Sequence, residues 1–290
     1  MTLEKKSPCK VNLILNILGK RADGFHELET VMHPVNLFDE MHFERIASGL
    51  QLTCSNPALP TDAGNLVHRA ATLFLQKTGI GGGVRIHLEK KIPLAAGLGG
   101  GSGNAATTLL GLNELFGKPL SAKTLEDIAA ALGSDIPFFL QTKPALGTGR
   151  GEKIESLADF PAMARAAFVL VHPGFGISTP WAYQNLTRFP AALNGTRGRA
   201  QKLISLLETA DLRIAGREFY NSLEAPALDK YPLLSLFQNF FRENGAAATL
   251  MSGSGSTTFA IADNLSGAEQ LAELFKAKFG ETHWLVAVPI

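Results

Sequence analysis

Runs of apolar positions alternate with amphipathic segments along the whole chain, with no internal repeat. Short apolar or alternating runs bounded by turn residues predict strands, at residues 9–18, 30–38, 40–46, 49–55, 84–90, 167–171 and 283–288. Apolar residues at three- and four-residue spacing predict helices, at residues 66–78, 103–116, 121–132, 198–220, 230–243 and 266–279, with a further one after residue 180. Asn65 and Ser121 are the predicted N-caps of the first and third of these helices. A hairpin is predicted over residues 248–262, and the mixture as a whole predicts an α+β fold.

The pattern changes around residue 155, near the segment "ADFPAMARA". A chain of 290 residues with 46% hydrophobic residues is long enough to divide its core into two. We therefore predict two domains, 1–155 and 156–290.

The charges nearly cancel, since 27 basic and 26 acidic side chains give a net charge of +1. No overall field exists to hold nucleic acid or an anionic membrane, so any anion site has to be local. Cys9 and Cys54 belong to no metal-binding cluster and are expected to be reduced thiols. The N-terminus lacks the apolar stretch and small-residue cleavage site of a signal peptide. A cytoplasmic protein is expected.

One segment raises a membrane alternative. Residues 92–113 carry no charge, are long enough to span a bilayer and contain GxxxG spacing at Gly97 and Gly101. The middle of the segment is glycine, serine and asparagine, and charged residues flank it closely. We therefore interpret it as a loop followed by a helix.

This segment, "PLAAGLGGGSGNAATTLLGL", places five glycines within residues 97–103, between a predicted strand and a predicted helix. The first turn of a helix has unpaired N–H groups and a partial positive charge, and glycine lets an anion approach them. A plain surface turn is the alternative. The loop is neither a Walker A sequence nor a dinucleotide fingerprint. We predict a phosphate site formed by Pro93, Gly97, Gly99, Gly100, Gly101, Ser102, Gly103 and Asn104.

The same segment resembles the phosphate loop of the GHMP small-molecule kinases. "PCKVNLILNILGKRADGFHELET" and "LMSGSGST" resemble the first and third motifs of that family. Within the family, "AGNLVHRAA", "LGSDIPFFL", "GTGRGEKI" and "HPGFGISTPWAY" are similar to the kinases that act on a cytidine diphosphate-linked methylerythritol in the non-mevalonate isoprenoid pathway. The resemblance implies a two-domain GHMP kinase fold, with a ribosomal protein S5-like N-terminal domain, a ferredoxin-like C-terminal domain and the active site between them.

Two residues are candidates for the phosphoryl-transfer chemistry. The resemblance makes Asp135 the base that accepts the proton of the substrate's 2-hydroxyl group, and Lys10 the cation that stabilises the reacting oxygen. From the residues alone, Asp135 could equally be a helix cap or an ion-pair partner. Lys10 could be a solvated residue on a strand edge. Asp135 is expected at a passage from helix to strand.

The resemblance also implies a substrate pocket in which the cytosine base stacks on aromatic rings and hydrogen-bonds to a histidine. Core packing is the alternative for the aromatic residues. Two departures from the family pattern are Phe25, where tyrosine is usual, and Gly103, where serine is usual. The implied substrate-binding residues are Asn12, Phe25, His26, Tyr183, Gly253 and Ser254.

Together these features predict a kinase that uses ATP and Mg²⁺ on a small-molecule alcohol. No paired carboxylates indicate a protein metal site, so Mg²⁺ is expected to arrive on ATP, with Ser102 in its coordination shell. The alternatives are a GHMP kinase for another alcohol, such as mevalonate or homoserine, and a nucleotide-binding module without catalysis. No feature of the sequence indicates an oligomeric state or a protein partner.

Overall fold

The computed structural model describes residues 1–209 and 211–290. Its strands are β1 (Thr2–Lys20), β2 (His26–Ile46), β3 (Gly49–Cys54), β4 (Gly83–Glu89), β5 (Ala145–Gly149), β6 (Lys153–Ser156), β7 (Ala167–His172), β8 (Tyr220–Asn221), β9 (Ala248–Met251), β10 (Thr258–Ala262) and β11 (Trp284–Pro289). Its α-helices are α1 (Leu66–Thr78), α2 (Gly100–Leu115), α3 (Ala122–Leu132), α4 (Thr179–Asn185), α5 (Pro190–Leu193), α6 (Arg199–Thr209), α7 (Leu212–Ala215), α8 (Glu224–Lys230), α9 (Pro232–Glu243) and α10 (Leu265–Phe279). The mixture of helix and sheet confirms the predicted fold class.

The chain forms two compact units, each assembled from several segments. The first unit consists of Met1–Cys9, Leu37–Ile92 and Gly99–Thr142, and the second consists of Lys10–Asn36, Pro93–Leu98 and Lys143–Ile290. The long strands β1 and β2 therefore contribute residues to both units. The predicted domain boundary near residue 155 stays a prediction.

In the first unit, a small sheet is covered by helices. The second half of β2 pairs antiparallel with β4, with Glu40 opposite Glu89, and β3 pairs parallel with β4. Helix α1 packs against α2 and α3. Both predicted caps are confirmed, because the Asn65 side chain accepts a hydrogen bond from the Val67 amide and the Ser121 side chain accepts one from the Thr124 amide.

The second unit contains an antiparallel sheet with the strand order β11-β7-β10-β9. Helices α9 and α10 pack on this sheet through apolar residues that are fully buried. The core here is built from Phe237, Phe241, Phe275, Val169, Val171 and Ala260. In the same unit β8 runs parallel to β1, with Ile14 opposite Tyr220, while β5 pairs antiparallel with β2 and with β6.

Several predicted boundaries are wrong for identifiable reasons. Residues 30–38 and 40–46 belong to one strand, because Asp39 is no turn residue: its buried carboxylate accepts hydrogen bonds from the backbone amides of Lys91 and Ile92. The predicted helix over 103–116 starts three residues earlier, at Gly100, inside the glycine run.

The predicted helix over residues 198–220 is also wrong as a single helix. Helix α6 ends at Thr209, Asp211 caps the separate helix α7, and Tyr220 begins β8. Residue 210 lies outside the described residues. Prediction missed β5, β6, β8, α5 and α8, since elements of two to seven residues carry little periodicity of their own.

Residues 92–113, for which a membrane span was the alternative, form a loop that leads into α2. Among the described residues, no helix has both the length and the apolar character needed to cross a membrane.

His33 is a polar residue buried in the second unit. Its Nδ1 atom lies 2.7 Å from the Pro34 carbonyl oxygen, and its ring packs against Phe160 and Phe168. Burial among these groups lowers the pKa of His33 to about 4, partly offset by the contact with the Pro34 carbonyl. The folded protein therefore holds this imidazole neutral.

We predict that His33 makes the fold less stable in mild acid. Between pH 6.5 and about 4 the unfolded chain binds a proton at His33 and the folded chain does not, so the free energy of unfolding decreases as the pH falls. This one group contributes a loss of about 2 to 3 kcal/mol between pH 7 and pH 4.5. Urea denaturation of wild type and His33→Gln at both pH values measures it, because the variant should lose less stability on acidification.

The control is His42→Gln, which removes a histidine from an exposed position. If His33→Gln and wild type lose the same stability between the two pH values, the neutral state of His33 does not contribute.

Candidate active site

Helix α2 begins in the middle of the glycine run and lacks a side-chain cap. Gly99 is its N-cap, in the left-handed conformation with φ +67°, and it has no side chain to accept hydrogen bonds from the first turn. The first turn also contains no acidic residue. An uncapped helix start of this kind suits an anion, because the N–H groups and the helix dipole both favour negative charge.

A buried polar network in the first unit holds the start of α2. The Nδ2 group of Asn104 donates to Ser7 Oγ and to Asp39 Oδ2, both at 2.9 Å. The Lys90 ammonium group pairs with the same Asp39 oxygen, and both side chains are buried. A Cβ atom on Gly100 would lie 3.1 Å from Lys90 Nζ, so the ammonium group sits directly beneath the first residue of the helix.

Sequence reasoning missed Ser7, Asp39 and Lys90. The available signal was Asp39, which with Glu40 forms an acidic pair between the apolar residues Phe38 and Met41. Both N–H donors of Asn104 are used within the protein, and the predicted contact of Asn104 with phosphate stays a prediction.

Gly103 lies against the first strand. A Cβ atom at this position would be 2.4 Å from the carbonyl oxygen of Pro8 and 3.2 Å from Ser7 Oγ. Gly103 is also the position at which serine is usual in the family. In this chain the Pro8 carbonyl lies so close to Gly103 that no room remains for a side chain.

Lys10 is almost completely buried in the second unit, with 2% of its surface exposed. Its backbone amide donates to the carbonyl of Leu98 at 2.9 Å. Its Nζ atom donates to Asn12 Oδ1 at 2.5 Å and to the carbonyl oxygen of Gly97 at 3.3 Å. Asn12 in turn donates through Nδ2 to Thr30 Oγ1 at 2.8 Å. The ammonium group is thus held between β1 and the glycine run. A lysine on a solvent-exposed strand edge would not be fixed in this way.

The turn between β9 and β10, residues 252–257, packs on the same part of the glycine run. Ser252 Oγ donates to the Gly97 carbonyl at 3.0 Å, and the Thr257 amide donates to the Ala96 carbonyl at 3.1 Å. A Cβ atom on Gly253 would lie 3.3 Å from Lys10 Nζ. The second unit therefore brings together parts of the three segments that resembled family motifs: β1 from Lys10 onward, the glycine run up to Leu98, and the 252–257 turn.

The aromatic residues predicted for the substrate pocket also lie in the second unit. The ring centroids of His26 and Tyr183 are 5.0 Å apart. The Phe25 ring is half exposed, and the Arg150 guanidinium lies 4.5 Å from its centroid. Burial, with the nearby positive charge of Lys20, lowers the pKa of His26.

The secondary structure around these residues is close to that predicted. Phe25 precedes β2 and its amide donates to Asp23 Oδ1, while His26 is the first residue of the strand. Tyr183 is the fifth residue of α4, the helix predicted after residue 180. The first residue of α4, Thr179, hydrogen-bonds to Ser254 of the 252–257 turn at 2.8 Å.

Asp135 lies in the first unit, between α3 and a short 3-10 helix over Pro137–Leu140. The predicted strand after it is therefore wrong. Its neighbour Ile136 is buried, and Asp135 itself is half-buried. The Ile136 amide donates to the carbonyl of Gly133, which fixes the turn that carries the carboxylate.

Profiles of the GHMP kinases match two regions of the chain. The N-terminal domain of the family matches residues 65–143, and the C-terminal domain matches residues 203–281.

The 4-diphosphocytidyl-2-C-methyl-D-erythritol kinase of Synechococcus sp. (strain JA-3-3Ab) is 40% identical to this chain over 282 residues, which cover 96% of this chain and 90% of the relative. A crystal structure of 4-(cytidine 5'-diphospho)-2C-methyl-D-erythritol kinase matches with a TM-score of 0.83 and 35% identity, over 99% of this chain and 100% of that one. Homoserine kinase from Cytophaga hutchinsonii matches with a TM-score of 0.79 and 20% identity, over 100% and 95% of the two chains. The last similarity shows the fold alone.

We predict that Gly103→Ala destabilises the protein by about 1 to 3 kcal/mol, because the new methyl group would overlap the Pro8 carbonyl and backbone has to move. Gly101→Ala, in the same helix, is the matched control. There the nearest atom to a Cβ is Leu66 Cδ1 at 3.8 Å, so the substitution should be neutral or stabilising by up to about 1 kcal/mol. Equal free energies of unfolding for the two variants in urea would contradict the close approach at Gly103.

Proposed function

Because the chain belongs to the GHMP kinase family, we propose that it transfers the γ-phosphoryl group of ATP to the 2-hydroxyl of 4-diphosphocytidyl-2-C-methyl-D-erythritol. The products are ADP and the 2-phosphate, a step of the non-mevalonate route to isoprenoid precursors. The observation that carries this proposal is the burial of Lys10, whose ammonium group is held between Asn12, the glycine run and the 252–257 turn.

ATP binds through its phosphates at the start of α2. The uncapped N–H groups that follow Gly99 and the hydroxyl of Ser102 are the donors, and the absence of acidic residues in the first turn keeps this end of the helix positive. The rest of the predicted phosphate loop, from Pro93 to Gly101, lets the backbone approach the anion. Gly103 and Asn104 support the helix from below.

Mg²⁺ arrives bound to the nucleotide and neutralises charge on the phosphates during transfer. Within residues 1–209 and 211–290, no group of three or more His, Cys, Asp or Glu side chains is arranged to hold a metal ion. The hydroxyl of Ser102 is the side-chain ligand that the phosphate loop offers.

Asp135 accepts the proton of the 2-hydroxyl as its oxygen forms a bond to the γ-phosphorus and the bond to ADP breaks. An alcohol is a far weaker acid than a carboxylic acid, so the proton moves late in the step. Lys10 stabilises the negative charge that develops around the reacting oxygen. Its fixed position means that little reorganisation is needed during the reaction.

The cytidine end of the substrate binds at Phe25, His26 and Tyr183. A cytosine base is planar and stacks on the aromatic rings, while the neutral imidazole of His26 offers one donor and one acceptor to its edge. Asn12, Gly253 and Ser254 bind the methylerythritol and diphosphate portion. We place the enzyme in the cytoplasm, where the thiols of Cys9 and Cys54, which form no disulfide bond, stay reduced.

The first experiment is an ADP-release assay with ATP, Mg²⁺ and a panel of alcohols: the cytidylyl methylerythritol, mevalonate, homoserine and galactose. We expect turnover with the cytidylyl compound alone. Turnover with another alcohol would show that the assigned substrate is wrong. The fold itself is compatible with that outcome, since it is shared with a homoserine kinase. Binding of ATP without ADP formation from any alcohol would indicate a nucleotide-binding module.

We predict that Asp135→Asn folds normally and lowers kcat by at least about 100-fold, because the amide cannot accept the proton of the hydroxyl group. Asp127→Asn is the control, an exposed carboxylate on α3 that pairs with Lys123 in the same helix. Turnover of Asp135→Asn near that of the control would remove Asp135 from the reaction.

We also predict that His26→Ala raises KM for the cytidylyl substrate about 10-fold or more and changes KM for ATP little, because the base loses its edge contact and part of the aromatic wall. His68→Ala, on α1 in the first unit, controls for the loss of a histidine. An unchanged KM for the cytidylyl substrate would refute the pocket assignment.

A further inference from the structure

Side chains from a short segment, residues 221–224, hold the backbone where β9 passes into the 252–257 turn. Asn221 Nδ2 donates to the carbonyl oxygens of Met251 at 2.7 Å and Gly253 at 2.8 Å. The Glu224 carboxylate accepts from the Met251 amide at 2.8 Å. Three hydrogen bonds therefore fix the backbone from Met251 to Gly253 from one side.

The orientation of Asn221 is unambiguous and specific to an amide. Its Oδ1 atom accepts from the Leu223 amide at 2.9 Å, so flipping the amide would place oxygen against two carbonyls. The residue is 98% buried, with 2% of its surface exposed. An aspartate would have the same shape and no donor, and an alanine would leave both carbonyls without this partner.

The same residue is attached to the strand that carries Lys10. Asn221 lies in β8 opposite Leu15 of β1, and the next residue, Ser222, donates its amide to the Leu15 carbonyl at 2.8 Å. Asn221 thus connects β1 to the turn through a single rigid side chain.

The contact that depends on this connection is the one between the turn and the ammonium group. A Cβ atom on Gly253 would lie 3.3 Å from Lys10 Nζ, so the Gly253 backbone forms one wall of the space that Lys10 occupies. Gly253 adopts φ +56°, a conformation that its hydrogen bond to Asn221 helps to hold.

We propose that Asn221 is a positioning residue for phosphoryl transfer. By holding the carbonyl of Gly253, it sets the backbone that confines the Lys10 ammonium group beside Asn12 and the glycine run. The inference rests on the proposed function, in which Lys10 stabilises the reacting oxygen. Asn221 itself contacts no substrate in this proposal.

The expected consequence is a loss of rate with little loss of ATP binding. Without the Asn221 amide the turn can shift away from β1, and the Lys10 ammonium group is then less well aligned. A misplacement of about 1 Å in a catalytic group lowers turnover by about 100-fold, whereas the start of α2 is held by the buried network around Asp39 in the first unit.

The test compares Asn221→Ala and Asn221→Asp with Ser222→Ala. Ser222 is the matched control because it is fully buried in the same segment and its Oγ accepts a hydrogen bond from the Ile17 amide at 3.0 Å, away from the turn. Turnover and KM are measured with MgATP and the cytidylyl methylerythritol. Amide hydrogen exchange of residues 252–257 is measured in the absence of substrate, since the amides of Ser252, Gly255 and Thr257 are hydrogen-bonded in this turn.

We expect both Asn221 variants to lower kcat by about 10- to 100-fold with KM for ATP within about threefold of wild type, and to exchange faster over residues 252–257. Ser222→Ala should keep kcat per folded molecule within about threefold and leave exchange in the turn unchanged. If Asn221→Ala does not fold, the isosteric Asn221→Asp carries the comparison.

Turnover of the Asn221 variants equal to that of Ser222→Ala would overturn the inference. The failure of the proposed function would look different, because wild type itself would then not turn over the cytidylyl compound. In that case the comparison of amide hydrogen exchange still tests whether Asn221 holds the turn. Unchanged protection of residues 252–257 in Asn221→Ala would refute this role of Asn221.

Discussion

The carbonyl group of Gly97 is the contact on which the catalytic part of the second unit depends. It accepts hydrogen bonds from Lys10 Nζ and Ser252 Oγ, so strand β1 and the 252–257 turn meet at one backbone atom of the glycine run. A Cβ atom on Gly97 would lie 2.0 Å from the carbonyl oxygen of Ser252, and the residue has φ +77°. Only glycine satisfies both conditions, because any side chain would separate the segments that place the ammonium group.

The two parts of the glycine run are held separately, each inside its own unit. Residues 95–98 are fixed by Lys10 and the 252–257 turn, and the start of α2 is fixed by the buried network around Asp39. In that network Asp39 balances the charge of Lys90, and breaking such a pair costs about 3 to 5 kcal/mol. The backbone donors for an anion are therefore in place without the anion, which reduces the entropy that binding has to overcome.

Features specified by neighbouring residues were predictable from the sequence, and features specified by distant partners were not. The helix over 66–78 and its cap at Asn65 depend on hydrogen bonds two to four residues apart, and both were predicted correctly. The break predicted between the strands 30–38 and 40–46 is wrong because the partners of Asp39, Lys90 and Asn104, lie 51 and 65 positions away. The amide of Asn221 was missed for the same reason, since Met251 is 30 positions away.

For the candidate site, motif resemblance identified residues but not the way in which they act. Lys10 and Asn12 were predicted as separate catalytic and binding residues, yet their side chains form one hydrogen-bonded pair. The fold is shared with a homoserine kinase at 20% identity, and a fold by itself does not specify the substrate. In the proposed function, the buried ammonium group of Lys10 serves phosphoryl transfer and the half-exposed ring of Phe25 serves substrate recognition. The hydrogen bond from Thr179 of α4 to Ser254 links the helix that carries Tyr183 to the turn beside Lys10, so the residues proposed for these two tasks share one backbone segment.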